Sequence, residues 1–436
     1  MPPIKHVIQK GLKSRLGKDF AYTFMAQVIV MIAAVAINKI VSHMLGVEGY
    51  AEYNIARRGA NMLAFFVSGG MGIAVTRYIA INMGKGRTFA TAQLLPLSYI
   101  IVGLYFVILL LAALLFPQQM MGLLLGQHAN ITLFVTVICY ALGYALNMVV
   151  ISALRGYGYF RQYNIVQIII QSMLILCAIA FGHSVVSLLM AFSVAYTLYS
   201  VYLFVRTTAW RLTRLAHSGL LRRGFFRKLS LYGMPRMLFN IVVASSQLVP
   251  LLLIEHKYGQ YYAGLFSGAL AIQLLITPLF DFTGTVFLQR VSILAGQKNY
   301  VQIKKMIRIA FFLFIGVATL GLLVVYTLPE LWLQLLFTKE FIPATPLVRI
   351  LALSLIPRAV QILHTNPLDA VATFPYNLLL IIIWYAVYIV LIVTSKNIEA
   401  CAWAYTIATA VMGGLSVLFW QWTLSRIRKK SSITVS

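Results

Sequence analysis

Apolar residues run in stretches of about 18 to 25 along nearly the whole chain, parted by short polar segments. A helix needs about 20 such residues to cross the hydrocarbon core of a bilayer. Inside lipid, only a helix or a closed barrel satisfies its own backbone. The pattern predicts twelve helical spans: Phe20–Met44, Tyr53–Ala80, Leu94–Phe116, Ile131–Leu154, Asn164–Phe181, Val185–Val205, Leu231–Ile254, Ala263–Leu288, Met306–Leu328, Pro346–Thr365, Tyr376–Thr394 and Ala400–Leu424. The connecting loops are short. The longest runs from Arg206 to Ser230 and leaves no room for a soluble domain. The stretch before Phe20 is too polar for the apolar core of a secretion signal and reads as a basic amphipathic lead-in.

Composition agrees with a bilayer as solvent. Of 436 residues, 61% are apolar and 10% charged, with a mean hydropathy of +0.88. Cys139, Cys177 and Cys401 all fall in apolar runs, where they read as small buried hydrophobes rather than disulfide partners or metal ligands.

Charge then sets orientation. Thirty-five basic residues face nine acidic ones. The N-terminus carries Lys5, Lys10, Lys13, Arg15 and Lys18, and alternate loops carry Arg77, Lys85 and Arg87, then Arg155 and Arg161. The same side holds the basic clusters from Arg206 to Lys228 and from Arg290 to Arg308, and the tail residues Arg426, Arg428, Lys429 and Lys430. The opposite loops hold only Lys257, Lys339 and Lys396, beside Glu48, Glu52, Glu255, Glu330, Glu340 and Glu399. The positive-inside rule therefore puts both termini in the cytoplasm and requires an even number of spans. Most of the net charge of +26 is thus a topology signal and does not imply nucleic acid.

The two halves echo each other. A shift of 213 residues sets His43 on His256, Gly46 on Gly259, Tyr53 on Phe266, Asn54 on Ser267 and Ala56 on Ala269. It also sets Arg77 on Arg290 and Lys85 on Lys298. With six spans in each half, such a repeat is parallel, about a pseudo-two-fold axis along the membrane normal, and a ligand site is expected between the halves. The expected fold is an all-α polytopic membrane protein of twelve transmembrane helices in two six-helix bundles. Its divisions are an N-terminal bundle over 1–205, a basic linker over 206–230, a C-terminal bundle over 231–425 and a basic tail over 426–436.

These residues resemble a known family. LGVEGYAEYNIARR at Leu45–Arg58 is similar to the LG-x-x-G-x-G-x-Y turn that opens the second span of polysaccharide flippases in the multidrug/oligosaccharidyl-lipid/polysaccharide exporter superfamily. Ala51 stands where that pattern has glycine. YGMP at Tyr232–Pro235, AGLFSGAL at Ala263–Leu270 and LLFTKEFIPATPLVRILAL at Leu335–Leu353 resemble the start of the second half and the approaches to spans eight and ten. The resemblance implies a transporter, not an enzyme, that moves polyprenyl-pyrophosphate-linked oligosaccharides to the outer leaflet of the cytoplasmic (inner) membrane. The product would be O-antigen of lipopolysaccharide or an exopolysaccharide. Expected partners are the lipid-linked oligosaccharide, membrane lipid, and the polysaccharide polymerase and chain-length machinery.

Six cations are left over by the topology: Lys39, Arg57, Arg58, Arg236, Arg349 and Arg358. A charge at the bilayer centre costs about 2.5–3.5 kcal/mol on insertion scales, so embedded charges face a cavity or a partner, or snorkel to a headgroup. For the first five both readings stand, because each lies near a span end. Arg358 lies twelve residues into its span, about 18 Å along it, past the centre. It follows Pro357, a candidate point for opening the helix, and is the strongest candidate for substrate contact. Arg236, Asn240 and Gln247 share one face of span seven, and Arg57 and Asn61 one face of span two. Those amides serve equally as cavity lining or as bonds between helices. Arg349 and Arg358 are nine positions apart, about half a turn out of phase, and line one cavity only if the helix bends.

Asp281 is the one acid clearly inside a span; it is a candidate for ion coupling or for pairing one neighbouring helix. His43, His256 and His364 sit near span ends. Arginine binds phosphate through bidentate charge-assisted bonds, so a cationic, acid-poor cavity suits a pyrophosphate lipid. The expected mechanism is alternating access, with Pro96, Pro235, Pro250, Pro278 and Pro357 as bending points and no cofactor beyond a proton or sodium gradient or the membrane potential. The rival readings are a cation-coupled multidrug antiporter of the same superfamily and a membrane-embedded glycan polymerase or ligase.

Overall fold

The computed structural model describes residues 15–86, 88–216, 223–297, 300–371 and 376–433; these are almost wholly helical, with no strand among them. Lys5, Lys10, Lys13, Arg87, Arg222 and Lys298, counted above for orientation, lie outside the described residues. The helices are α1 (Arg15–Val67), α2 (Met71–Gly84), α3 (Thr88–Leu115), α4 (Pro117–Leu125), α5 (Ile131–Gly156), α6 (Phe160–Phe181), α7 (Val185–Ala216) and α8 (Arg223–Tyr258). They continue as α9 (Gln260–Gly296), α10 (Tyr300–Thr327), α11 (Pro329–Leu336), α12 (Thr345–Ala352), α13 (Leu355–Val371), α14 (Tyr376–Thr394) and α15 (Ile398–Ile433). The chain forms two compact units, Met1–Leu248 and Val249–Ser436, with the boundary inside α8.

Nine described helices are long and apolar enough to cross a membrane, and the bent pair Lys339–Ala352 and Leu355–Thr365 makes a tenth if it is one interrupted span. The protein is a multi-pass membrane protein. One of the nine, Met25–Val67, has 43 residues. That is about 65 Å at 1.5 Å per residue, twice the hydrocarbon core. It is broken at Gly46, whose φ of 66° is open to glycine and costly for other residues. Gly259, set on Gly46 by the internal shift, has a φ of 92° and parts α8 from α9. Tyr53 and Phe266, and Ala56 and Ala269, are matched in burial as well as in sequence.

The echo runs further than the residue matches reach. Phe116 and Leu328 each precede a short helix opened by proline, Pro117 in α4 and Pro329 in α11. Proline is well placed in a first turn, where its missing N–H has no partner to lose. The starts of α3 and α10, α5 and α12, α6 and α14, and α7 and α15 also recur near the 213-residue shift.

Two predicted spans are interrupted, one at glycines and one four residues before a proline. Span two stops at Val67 and resumes at Met71, across Gly69 (φ 56°) and Gly70 (φ 72°). Span ten breaks at Leu353–Ser354 and bends by 44°. The backbone there tightens, with Leu353 N–H bonding Ile350 O and Ser354 N–H bonding Leu351 O. The Ser354 hydroxyl donates to Leu351 O at 2.6 Å and accepts from Gln273 Nε2 at 3.1 Å. Pro357, in the first turn of α13, has no N–H for the Leu353 carbonyl four residues back and crowds it with its ring, so the break lies where this proline acts. Pro96, Pro235, Pro250 and Pro278 all lie within continuous helices. The physical reason is that neighbouring helices re-satisfy backbone groups freed by proline, whereas a positive φ at glycine redirects the chain.

In the first unit, the buried face of α1 carries Val41, Tyr50, Tyr53, Ile55, Ala60 and Ala64. In the second, Phe280, Val291, Ile303, Phe314, Ala359, Ile362 and Trp420 form a continuous cluster. Asn130 caps α5, its side chain accepting from Thr132 N–H at 2.9 Å. The stretch from Arg206 to Ser230 is largely helical, because α7 runs to Ala216 and α8 starts at Arg223.

Candidate functional site

The first unit encloses a cavity of about 410 Å³, within the usual size range of small-molecule sites. Its walls are periodic. Tyr140, Tyr144, Asn147, Ile151 and Arg155 form one stripe of α5, each one turn from the next. Tyr163, Gln167 and Gln171 form a stripe of α6. Arg57 and Asn61 enter from α1, Tyr196 from α7 and Asn240 from α8.

Three phenol rings cluster beside Arg57. Tyr196 meets Tyr140 and Tyr144 edge-on at 5.6 and 5.3 Å between centroids. Arg57 donates through Nη1 to the Tyr53 hydroxyl at 3.3 Å. Arg155 stands over the Tyr163 ring at 5.7 Å and donates through Nη2 to Ser152 Oγ at 3.4 Å. Gln167 Nε2 reaches the Tyr163 hydroxyl at 3.4 Å. Two buried polar atoms of the wall, Asn61 Oδ1 and Asn147 Nδ2, have no hydrogen-bond partner. Such an atom costs about 1–3 kcal/mol each. One is an acceptor and the other a donor, and a ligand hydroxyl serves both.

Among the described residues no acid lines this cavity. The cause lies in the sequence: not one Asp or Glu occurs between Glu52 and Glu255. The first unit as a whole carries only Asp19, Glu48 and Glu52. The positive field of Arg57 and Arg155 is therefore not cancelled from within the wall. With aromatic faces, amides and guanidinium groups, the cavity matches a polyhydroxylated ligand bearing negative charge.

The sequence candidates divide. Arg57, Asn61 and Asn240 line the cavity together. Arg58 donates instead to the backbone of Gln247 at 2.7 Å, and the Gln247 side chain is exposed. Arg236 lies on the Tyr232 ring at 3.5 Å. Lys39 is half-buried in α1, away from the cavity wall.

In the second unit, Arg349 is exposed and stands 5.9 Å from the Tyr326 ring, itself exposed. Arg358 donates to Gln361 Oε1 at 2.9 Å, while its buried Nε has no partner. The break at Leu353–Ser354 puts these two arginines on separate helices, so a single straight phase no longer relates them. Asp281 lies in α9, with its side chain outside the described ones. His43 and His256 are exposed, and buried His364 holds the Val360 carbonyl at 2.7 Å. Cys139, Cys177 and Cys401 are free thiols. Among the described residues no three His, Cys, Asp or Glu side chains gather as a metal site.

Charge counting missed most of the wall. Tyr140, Tyr144, Asn147 and Tyr163, Gln167, Gln171 are uncharged, yet their four- and three-residue spacing inside apolar runs was a legible signal.

Comparison with solved structures returns transporters. An inward-facing multidrug resistance MATE family transporter of the MOP superfamily matches with a TM-score of 0.77 at 15% identity, over 94% of this chain and 99% of that one. An outward-facing MATE family transporter of the same superfamily matches at 0.66 and 16% identity, over 94% and 97%. A MOP superfamily transporter from Pyrococcus furiosus, described as having a binding pocket of reversed polarity that suggests a different function, matches at 0.66 and 16%, over 94% and 95%. At these identities the likeness establishes the fold. Among curated protein sequences none matches. A sequence profile of polysaccharide biosynthesis proteins matches residues 16–288, well over half the chain, and the protein belongs to that family.

Proposed function

We propose that this protein is a flippase. It carries polyprenyl-pyrophosphate-linked oligosaccharide repeat units from the cytoplasmic to the outer leaflet, for O-antigen or exopolysaccharide assembly. The observation that carries this reading is the acid-free cavity of the first unit, where tyrosines and amides suit sugars and Arg57 and Arg155 suit phosphate. The family match supports a role in polysaccharide biosynthesis. Twelve spans in two parallel six-helix bundles, with both termini cytoplasmic in the inner membrane, fit the recurring helix starts and the sided charge. The prenyl tail stays in lipid while the polar head crosses by alternating access, and the polymerase and chain-length machinery receive the product. A cation-coupled multidrug antiporter is less well supported, since such cargo calls for embedded acids. A glycan polymerase or ligase is less well supported too, for want of a large outer loop.

The test is translocation in proteoliposomes. A prenyl-pyrophosphate oligosaccharide should cross, and a lipophilic cationic dye should not. One charge crossing 100 mV is worth about 2.3 kcal/mol, so a doubly anionic cargo moving out of a negative interior is driven by about 4–5 kcal/mol. Collapsing the potential while keeping the pH gradient should slow transport. Transport of the dye alone would replace this reading with the antiporter one; an unchanged rate would remove the potential as driving force.

Arg358 is proposed as a second cargo contact, on the strength of its partnerless buried Nε. Arg358→Ala should lower glycan export about tenfold, the size expected for one charge-assisted bond, with insertion unchanged. Export at the wild-type level would leave Arg358 as a structural partner of Gln361.

A further inference from the structure

At one end of the first unit, α2 and α8 come unusually close. A Cβ on Gly70 would collide with the carbonyl of Gly233, and a Cβ on Gly233 with the carbonyl of Gly69. This approach brings two guanidinium groups to one phenol. Arg77 of α2 lies 4.4 Å from the centroid of the Tyr232 ring and Arg236 of α8 lies 3.5 Å from it. Arg236 Nη1 also donates to the Tyr232 carbonyl at 3.1 Å, and Tyr78 packs edge-on against the same ring at 5.6 Å.

Two like charges gathered so closely repel. The ring attracts each cation through its quadrupole but carries no net charge to neutralise them. The acid-free run from Tyr53 to Ile254 contains both arginines and every residue just named. Arg77 is exposed and Arg236 is half-buried, so both are open to a ligand. They stand at the basic ends of their spans, the level at which lipid phosphates lie. Topology alone requires cations at this level but does not require them to converge. Neither Arg77 nor Tyr232 lines the cavity described above.

We propose that Arg77 and Arg236, held by Tyr232, form a binding site for the phosphate headgroup of a membrane-embedded lipid. The shared chemistry is a phosphate ester on an apolar tail. It has two sources: an anionic phospholipid of the surrounding bilayer, or the pyrophosphate of a prenyl-linked cargo, the latter resting on the transport reading. As a cargo site it is a first station for the headgroup at the cytoplasmic mouth. As a phospholipid site it holds α2 and α8 together from the bilayer side.

The full-length protein in neutral detergent is titrated with phosphatidylglycerol, farnesyl pyrophosphate and phosphatidylcholine, and bound lipid is counted by native mass spectrometry. Phosphatidylglycerol or farnesyl pyrophosphate should bind at least about tenfold more tightly than the zwitterionic lipid. Preference for the first assigns the site to the bilayer, and for the second to the cargo. The Arg77→Gln/Arg236→Gln double variant should lose that preference about tenfold, while Arg308→Gln, an exposed cation elsewhere, keeps it. If the double glutamine variant does not fold, the Arg77→Lys/Arg236→Lys variant is read instead. It should keep the charge and lose the pyrophosphate preference in part, through loss of bidentate geometry. Equal affinity for all three lipids, or full preference in the double glutamine variant, overturns the proposal.

Discussion

Arg57→Gln should lower translocation of a prenyl-pyrophosphate oligosaccharide about a hundredfold in proteoliposomes, in protein that still inserts and folds. Arg57 lines the cavity, beside the ring cluster of Tyr140, Tyr144 and Tyr196. It bonds the Tyr53 hydroxyl at 3.3 Å and also meets the Tyr140 hydroxyl, and a guanidinium has five N–H donors in all. A bond to a charged group contributes about 1.5–3 kcal/mol, and a hundredfold loss corresponds to about 2.7 kcal/mol. Arg57→Lys should fall between, since it keeps the charge and loses the planar fork. Binding of the sugar portion through the tyrosines and amides should persist in both variants. A glutamine variant that transports at the wild-type rate would empty the cavity of its proposed role.

Gly70→Ala should lower the thermal unfolding temperature far more than Gly86→Ala. Both glycines have a positive φ, 72° and 65°. The left-handed conformation alone costs an alanine about 1–2 kcal/mol. A Cβ at Gly86 meets nothing within 4 Å, so that cost should be nearly the whole effect there. A Cβ at Gly70 would lie 2.6 Å from the carbonyl carbon of Gly233, and backbone cannot step aside as a flexible side chain can. An added penalty of about 2–4 kcal/mol places Gly70→Ala in the severe tail of single substitutions. Unfolding followed in detergent by fluorescence-detected size exclusion measures both. Equal shifts would mean that α2 and α8 separate at little cost.

Reading charge along the chain picked out Arg57, Asn61 and Asn240, which do meet in one cavity, because each is anomalous in an apolar run. By the same measure Arg77 and Arg155 belong to the orientation signal, since they lie at the basic ends of spans. Position along a helix says how deep a residue sits; it does not say which neighbour it faces. Arg155 faces the cavity and Arg77 faces Tyr232. The tyrosine and amide stripes of α5 and α6 were periodic but neutral, and so carried no flag in a count of charges.

Helix interruptions divide in the same way. Gly46 and Gly259, matched by the internal shift, part their helices at equivalent points, because positive φ is a local property of glycine. At the Leu353–Ser354 break the Ser354 hydroxyl also meets the amide of Gln273, far away in sequence. No local rule points to that bond, although Pro357 by itself marks the Leu353 carbonyl, four residues back, as a weak point of the helix.

Hydropathy, charge sidedness and glycine placement were enough to establish a helical, multi-pass membrane protein with a repeated order of elements, because each is a short-range response to the bilayer or to backbone sterics. The cavity wall, the α2–α8 contact and the partners of each embedded arginine came only with the packed structure. They depend on which helix faces which, and in lipid that choice rests on close packing and polar contacts between residues distant in sequence rather than on hydrophobicity.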